Sequence, residues 1–131
     1  MAKYRENGIR LIPTEDEEQI WLFSWAELNM YRFPELRLMY HIPNGGKRSK
    51  SEAVRFKAMG VKAGVSDIFL SVARGGYHGL YIELKAQDGR VSVPQRDFLE
   101  DIKREGYAGF VAYSGEEAAR IIENYLKGVG I

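Results

Sequence analysis

The chain is predicted to fold as α/β, with a mixed central sheet flanked by helices in the order α-β-α-β-β-α-β-α. Two observations predict this: short alternating apolar runs bounded by glycine or proline, and longer segments that open on Ser or Thr with Glu or Gln three residues later. A third is the lack of any internal repeat, low-complexity tract or linker across 131 residues. That length fits one domain, residues 1–131, with a sizeable core.

Thr14-Glu15-Asp16-Glu17 has the pattern of a capping box and opens a helix that should run to about residue 31. Ile20, Trp21, Leu22, Phe23, Trp25, Ala26, Leu28 and Met30 make that helix apolar almost all round. Such a helix is either central in the fold or covered by a partner subunit, and in so short a chain self-association is expected. Phe33-Pro34 closes the helix, and residues 36–42 alternate well enough for a first strand. Pro43-Asn44-Gly45-Gly46-Lys47 stops it in a glycine-rich turn.

A short helix is expected over residues 50–59, with Ala53, Val54 and Phe56 among its apolar positions and Gly60 as its stop. Residues 67–72 and 79–85 read as two strands joined around Gly75-Gly76. Ser92-Val93-Pro94-Gln95 starts the next helix, with proline in the first turn and a Ser-x-x-Gln box. Phe98, Leu99 and Ile102 supply its buried stripe and Gly106 its end. Residues 107–113 form the fourth strand. Ser114-Gly115-Glu116-Glu117 then caps a last helix to about residue 127, with Ala118, Ile121, Ile122 and Tyr125 inward.

Composition narrows the function classes. With 45% hydrophobic and 28% charged residues, the chain is neither disordered nor fibrous. The absence of cysteine excludes a disulfide framework, a thiolate nucleophile and a Cys-ligated zinc site, and fits a reducing compartment. No apolar run approaches membrane-spanning length, and Met1-Ala2-Lys3-Tyr4-Arg5-Glu6 lacks a signal-peptide core. A cytoplasmic protein with no membrane partner is expected. Net charge is only +1, yet Lys47, Arg48, Lys50, Arg55, Lys57 and Lys62 face a single acid, Glu52, within that stretch. The stretch suits phosphate, or else is a solvated helix face.

The chemistry concentrates in Gly79-Leu80-Tyr81-Ile82-Glu83-Leu84-Lys85 and in Gly64-Val65-Ser66-Asp67 upstream. Strand alternation sends Leu80, Ile82 and Leu84 to one face and Tyr81, Glu83 and Lys85 to the other, with Glu83 and Lys85 about 6.6–6.8 Å apart along the strand. If the two strands pair around Gly75-Gly76, one register sets Asp67 opposite Glu83, Cβ atoms roughly 4.5–5.5 Å apart. Carboxylates without cysteine or a histidine pair suit a hard cation with oxygen ligands, Mg²⁺ or Mn²⁺. Such an ion would polarise a phosphoryl oxygen and activate water, with Lys85 orienting the water or stabilising negative charge. Phosphodiester hydrolysis uses all of these parts; the plain alternative is a solvated strand face.

These residues carry a resemblance. Glu15-x-x-Glu18-Gln19, Ile42-Pro43-Asn44-Gly45-Gly46, Gly60-Val61-Lys62-Ala63-Gly64-Val65-Ser66-Asp67, Glu83-Leu84-Lys85 and Ser92-x-x-Gln95, in that order over roughly residues 14–127, resemble the VRR-NUC family of the PD-(D/E)XK nuclease superfamily. The resemblance implies a restriction-endonuclease-like fold and a metal-dependent nuclease. Asp67, Glu83 and the Leu84 carbonyl would hold Mg²⁺ or Mn²⁺, with Lys85 as the catalytic lysine. Small stand-alone members are similar to Holliday-junction resolvases and act as homodimers on branched DNA. The family usually has proline just before the aspartate, where Ser66 stands here.

Some assignments stay open at this stage. Glu17 is the capping acid of Thr14, whereas Glu15 and Glu18, three apart on one helix face, could each complete the site. Gln95 is either a helix cap or a site residue. Asn44, Lys47, Arg48, Lys50 and Lys62 are candidate DNA contacts, the first three in a turn able to grip phosphate. His41 and His78 lack metal-like spacing and are expected to be structural. Three other readings remain: a less selective nuclease for flap or linear DNA, a non-catalytic nucleic-acid-binding module of the same fold, and a structural partner protein with no DNA affinity.

Overall fold

The computed structural model describes residues 11–43 and 49–130. Thr14 is extended and its hydroxyl accepts the Glu17 N–H while the Glu17 carboxylate accepts the Thr14 N–H, so the expected box opens α1 (Glu15–Asn29). The Asn29 carbonyl accepts the N–H groups of Arg32 and Phe33, and Pro34 holds Phe33 out of helical geometry. The helix therefore stops two residues short of the expected end.

The first strand is shorter than its alternation implies. Proline occupies the first turn of a 3₁₀ helix (Pro34–Leu38) that buries Leu36, and only β1 (Met39–His41) pairs into the sheet. α2 (Lys50–Ala58) opens on a capping box made by Ser49 and Glu52. It buries no residue, and Val54 is 70% exposed, so its apolar positions do not join the core.

β2 (Ile68–Leu70) and β3 (Leu80–Leu84) form the antiparallel hairpin, Ile68 opposite Ile82 and Leu70 opposite Leu80. α3 (Val93–Arg104) then carries the chain over to β4 (Ala108–Ala112), parallel to β3, as a parallel pair requires. α4 (Gly115–Lys127) follows and ends on Gly128, whose φ of 70° closes the helix in the left-handed region. The sheet order is β1-β2-β3-β4, with the first two pairings antiparallel and the last parallel. The order of elements is the one expected.

One sheet face packs on α1 and α4, where Leu22, Ile68, Leu70, Leu80, Ile82 and Ile122 are at most 1% exposed. Each such side chain contributes about 1.5–3 kcal/mol by leaving water. Tyr125 is buried with them and donates its hydroxyl hydrogen to the Val72 carbonyl at 2.6 Å. α3 packs on the other face, over β4. A Cβ on Gly109 would lie 2.8 Å from the Ile102 side chain and 3.0 Å from Leu99, so glycine is what lets that helix sit down on the sheet. Among the described residues, no helix is long and apolar enough to cross a membrane.

Candidate active site

Extending the β2–β3 ladder by one residue brings Asp67 opposite Glu83, at the end of the sheet face that carries α3. The Asp67 Oδ2 accepts the Leu84 N–H at 2.9 Å, which ties the acid to the neighbouring strand. In an antiparallel strand the N–H and C=O of one residue point the same way, so the Leu84 carbonyl lies on the Asp67 side. Glu83 is 1% exposed and Lys85 is 7% exposed, unusual burial for charged residues. Lys85 Nζ stands 3.8 Å from Glu83 Oε2.

Gln95 answers to both of its sequence readings at once. Its Oε1 accepts the Ser92 N–H at 2.8 Å, closing the capping box, while its Nε2 donates to Glu83 Oε2 at 3.1 Å. The capping bond fixes which end of the amide points at the acid. Gly64 brings the two segments together. Its φ is +91°, and a Cβ there would lie 2.5 Å from the Pro94 carbonyl oxygen. The loop before Asp67 thus lies directly against the first turn of α3.

As a carboxylate, Glu83 has an unmet demand. Its Oε1 and the Oγ of Ser66 are buried with no hydrogen-bond partner among the described residues. Burial first, then Asp67, which can accept a hydrogen bond from a protonated Glu83 oxygen and adds its own negative charge, push the Glu83 carboxyl up to about 9 against the opposing pull of Lys85. A proton shared with Asp67, or a cation, would satisfy that oxygen. Among the described residues, no three Asp, Glu, His or Cys side chains converge closely enough to hold an ion by themselves. The donor set is two carboxylates and a backbone carbonyl, all hard oxygen, which would suit Mg²⁺ or Mn²⁺ rather than a softer metal.

Residues 13–116 match the VRR-NUC domain profile, and a solved VRR_NUC domain protein is 34% identical over 89% of this chain and 91% of that one, with a TM-score of 0.78. This chain belongs to the VRR-NUC family. No curated protein matches it. The VRR-NUC domain is of nuclease type, and the acid–acid–lysine cluster lies within the matched span.

The two candidate helix acids part company in this VRR-NUC domain. Glu18 is buried, and its Oε1 accepts the Gly115 N–H at 2.9 Å, so it ties α1 to the first turn of α4. Glu15 instead feels the site: its carboxyl is raised by burial first, with Lys85 opposing and the charge of Asp67 adding. Glu18→Ala should therefore cost about 1.5–3 kcal/mol of stability, read by urea melts, for loss of a charged buried hydrogen bond. Glu15→Gln should leave the melt unchanged and lower turnover about 10–100-fold. The reverse pattern would return Glu18 to the site.

Lys50 and Lys62 are exposed, on and just after α2. Asn44, Lys47 and Arg48 lie outside the described residues. His41 Nδ1 is 2.9 Å from the Asp67 carbonyl oxygen, a bond that supports the backbone of the acid. His78 packs against the ring of Tyr107. The orphaned hydroxyl of Ser66 has no sequence signal; it emerges only from its complete burial.

Proposed function

We propose that this VRR-NUC domain is a Mg²⁺- or Mn²⁺-dependent endonuclease that cuts phosphodiester bonds in branched DNA, as a homodimer resolving Holliday junctions. The observation that carries the reading is the buried Glu83 carboxylate, with one oxygen lacking a donor, held beside Asp67 and 3.8 Å from the Lys85 amine. Asp67, Glu83 and the Leu84 carbonyl would hold the ion. When bound, the ion supplies Lewis-acid polarisation of a phosphoryl oxygen.

The chain's own groups do the rest. Lys85 is fixed by burial and aims a cation at the site where negative charge develops, orienting the attacking water. Gln95 keeps Glu83 in place, and Glu15 approaches from α1. Lys50 and Lys62, with Asn44, Lys47 and Arg48, take the phosphates on either side. Dimerisation uses the α1 face, where Ile20 at 67%, Trp21 at 44% and Leu28 at 75% remain exposed.

The test is cleavage of a synthetic four-way junction beside a linear duplex of the same sequence, in Mg²⁺ and in EDTA. Wild type should cut the junction preferentially in Mg²⁺ and not in EDTA, and Asp67→Asn should lower the rate at least ~10²-fold. Unimpaired cutting by Asp67→Asn would remove the assigned site. Sedimentation of Trp21→Glu against wild type reads the dimer: the variant should run as a monomer, and an unchanged mass would displace the interface from α1.

A further inference from the structure

The sheet face that carries Asp67 and Glu83 continues, two residues along each strand, into a row of aromatic rings. Tyr40, Phe69 and Tyr81 stand directly opposite one another on β1, β2 and β3. Ring centroids are 5.9 Å apart for Tyr40 and Phe69 and 4.4 Å for Phe69 and Tyr81. Phe98 of α3 meets Tyr81 edge-on at 5.2 Å, and Tyr107 packs on Tyr81 at 5.5 Å and on Phe69 at 6.1 Å, so that end of the row is covered. The other end is open: Tyr40 is 48% exposed. The row is built rather than incidental, because a Cβ on Gly79 would lie 2.8 Å from two carbons of the Phe69 ring. Only glycine there leaves the ring its place.

We infer that the open end of this row, Tyr40 with Phe69, is a stacking surface for an unpaired nucleobase next to the scissile phosphate. The substrate class is then branched DNA in which a base at the branch point has left its stack beside the cut. The inference rests on the nuclease reading above and adds the part of the substrate that the acids do not touch. Phe69 follows Asp67 by two residues and Tyr81 precedes Glu83 by two, so rings and acids share one face about 6.6–6.8 Å apart. A single nucleotide carries a phosphate and a flat apolar ring system joined by one sugar, and it spans that gap.

Chemistry favours this occupant over a protein side chain. The row bears no charge, whereas its neighbours on the same face are two acids and a lysine. A protein segment lying on the rings would have to pass those charges. A nucleic-acid strand places a phosphate there. A base held in duplex is already stacked on both sides and has no free face to offer, so the partner is an unpaired base. Aromatic stacking of that kind tolerates any base and changes binding roughly 5- to 150-fold on truncation of the ring.

The experiment compares a flap duplex with a fully paired duplex of the same sequence, cut by wild type, Tyr40→Ala and Tyr40→Trp in Mg²⁺. Tyr40→Ala should lose roughly 5- to 150-fold in kcat/KM on the flap and nothing on the paired duplex, and Tyr40→Trp should restore the flap rate. An abasic nucleotide scanned along the unpaired arm should reproduce the loss in wild type at one position and add nothing in Tyr40→Ala. Equal losses on both substrates, or a scan without effect at every position, would mean that the row is only a second small core. Stacking is also read without cutting, by quenching of 2-aminopurine in the flap on titration with wild-type protein in EDTA. Quenching that Tyr40→Ala abolishes sustains the inference even if Asp67→Asn shows the catalytic assignment to be misplaced; absent quenching overturns it while leaving that assignment untouched.

Discussion

Glu83→Gln should abolish cleavage, by at least ~10³-fold, while leaving the protein in EDTA as stable as wild type or more so. Removing the carboxylate from this buried position removes a group that folding disfavours. The Glu83 carboxyl, at 4.5 when exposed, is pushed up to about 9 by burial and by Asp67. Between those values the native state holds a proton that the unfolded chain has released. Stability linked to that proton is full below about pH 4.5 and is lost as pH rises toward 9. At neutral pH the loss amounts to on the order of 1–3 kcal/mol, which glutamine, neutral at every pH, does not incur.

Urea melts in EDTA from pH 5 to 9 check this directly. Wild type should fall in stability with pH more steeply than Glu83→Gln, and Mg²⁺ should recover the wild type at pH 8 but not the variant. If the proposed ion binds Glu83 it competes with the native proton for one carboxylate, so wild type should also release a proton on taking up Mg²⁺, measurable by calorimetry in two buffers of different ionisation enthalpy. Cutting by Glu83→Gln within tenfold of wild type would sink the assignment of Glu83. So would a variant less stable than wild type at every pH, since the carboxylate would then be a structural asset.

What the sequence discloses about this site is what short-range periodicity controls. The juxtaposition of Asp67, Glu83 and Lys85 was legible because alternation fixes the face of each residue, and the observed Ile68–Ile82 pairing has the register that sets Asp67 opposite Glu83; the turn alone does not set it, since Arg74 pairs with Tyr77 and an unbroken ladder from there would put Ile68 opposite Glu83. Helix starts were legible at Thr14, Ser92 and Ser114 because a cap is a local contract between neighbours. Leu36 and Leu38 alternate like a strand, but Pro34 starts a 3₁₀ turn and one buried leucine satisfies the same pattern. Glu18 and Glu15 could not be told apart, since the bond that claims Glu18 comes from Gly115, 97 residues away. The aromatic row was invisible for the same reason: Tyr40, Phe69 and Tyr81 are single residues on three strands, joined only by the sheet. Val54 is an apolar position of α2 by sequence, and only the tertiary fold leaves it exposed.

Gly64→Ala should be the most damaging single-methyl change in the described chain, with an expected loss of about 2–4 kcal/mol and a collapse of activity beyond what the instability explains. Two independent costs add. At φ +91° an L side chain is strained by roughly 1–2 kcal/mol before any contact is considered. The new Cβ would also lie 2.5 Å from the Pro94 oxygen and 2.7 Å from its carbonyl carbon, both backbone atoms that no rotamer change can clear. Relief comes only by moving the loop that carries Ser66 and Asp67 or the first turn of α3. The second shift draws Gln95 away from Glu83 and strains its bond to Ser92; the first disturbs the Asp67 bond to Leu84. Gly60 is the control: its φ is +97°, yet a Cβ there meets nothing within 4 Å. Gly60→Ala should lose only the conformational part, about 1–2 kcal/mol, and keep turnover at a temperature where both proteins are folded. Equal activity of the two variants under those conditions would mean that the approach of Gly64 to Pro94 does not position the acids, and that Gln95 reaches Glu83 without its help.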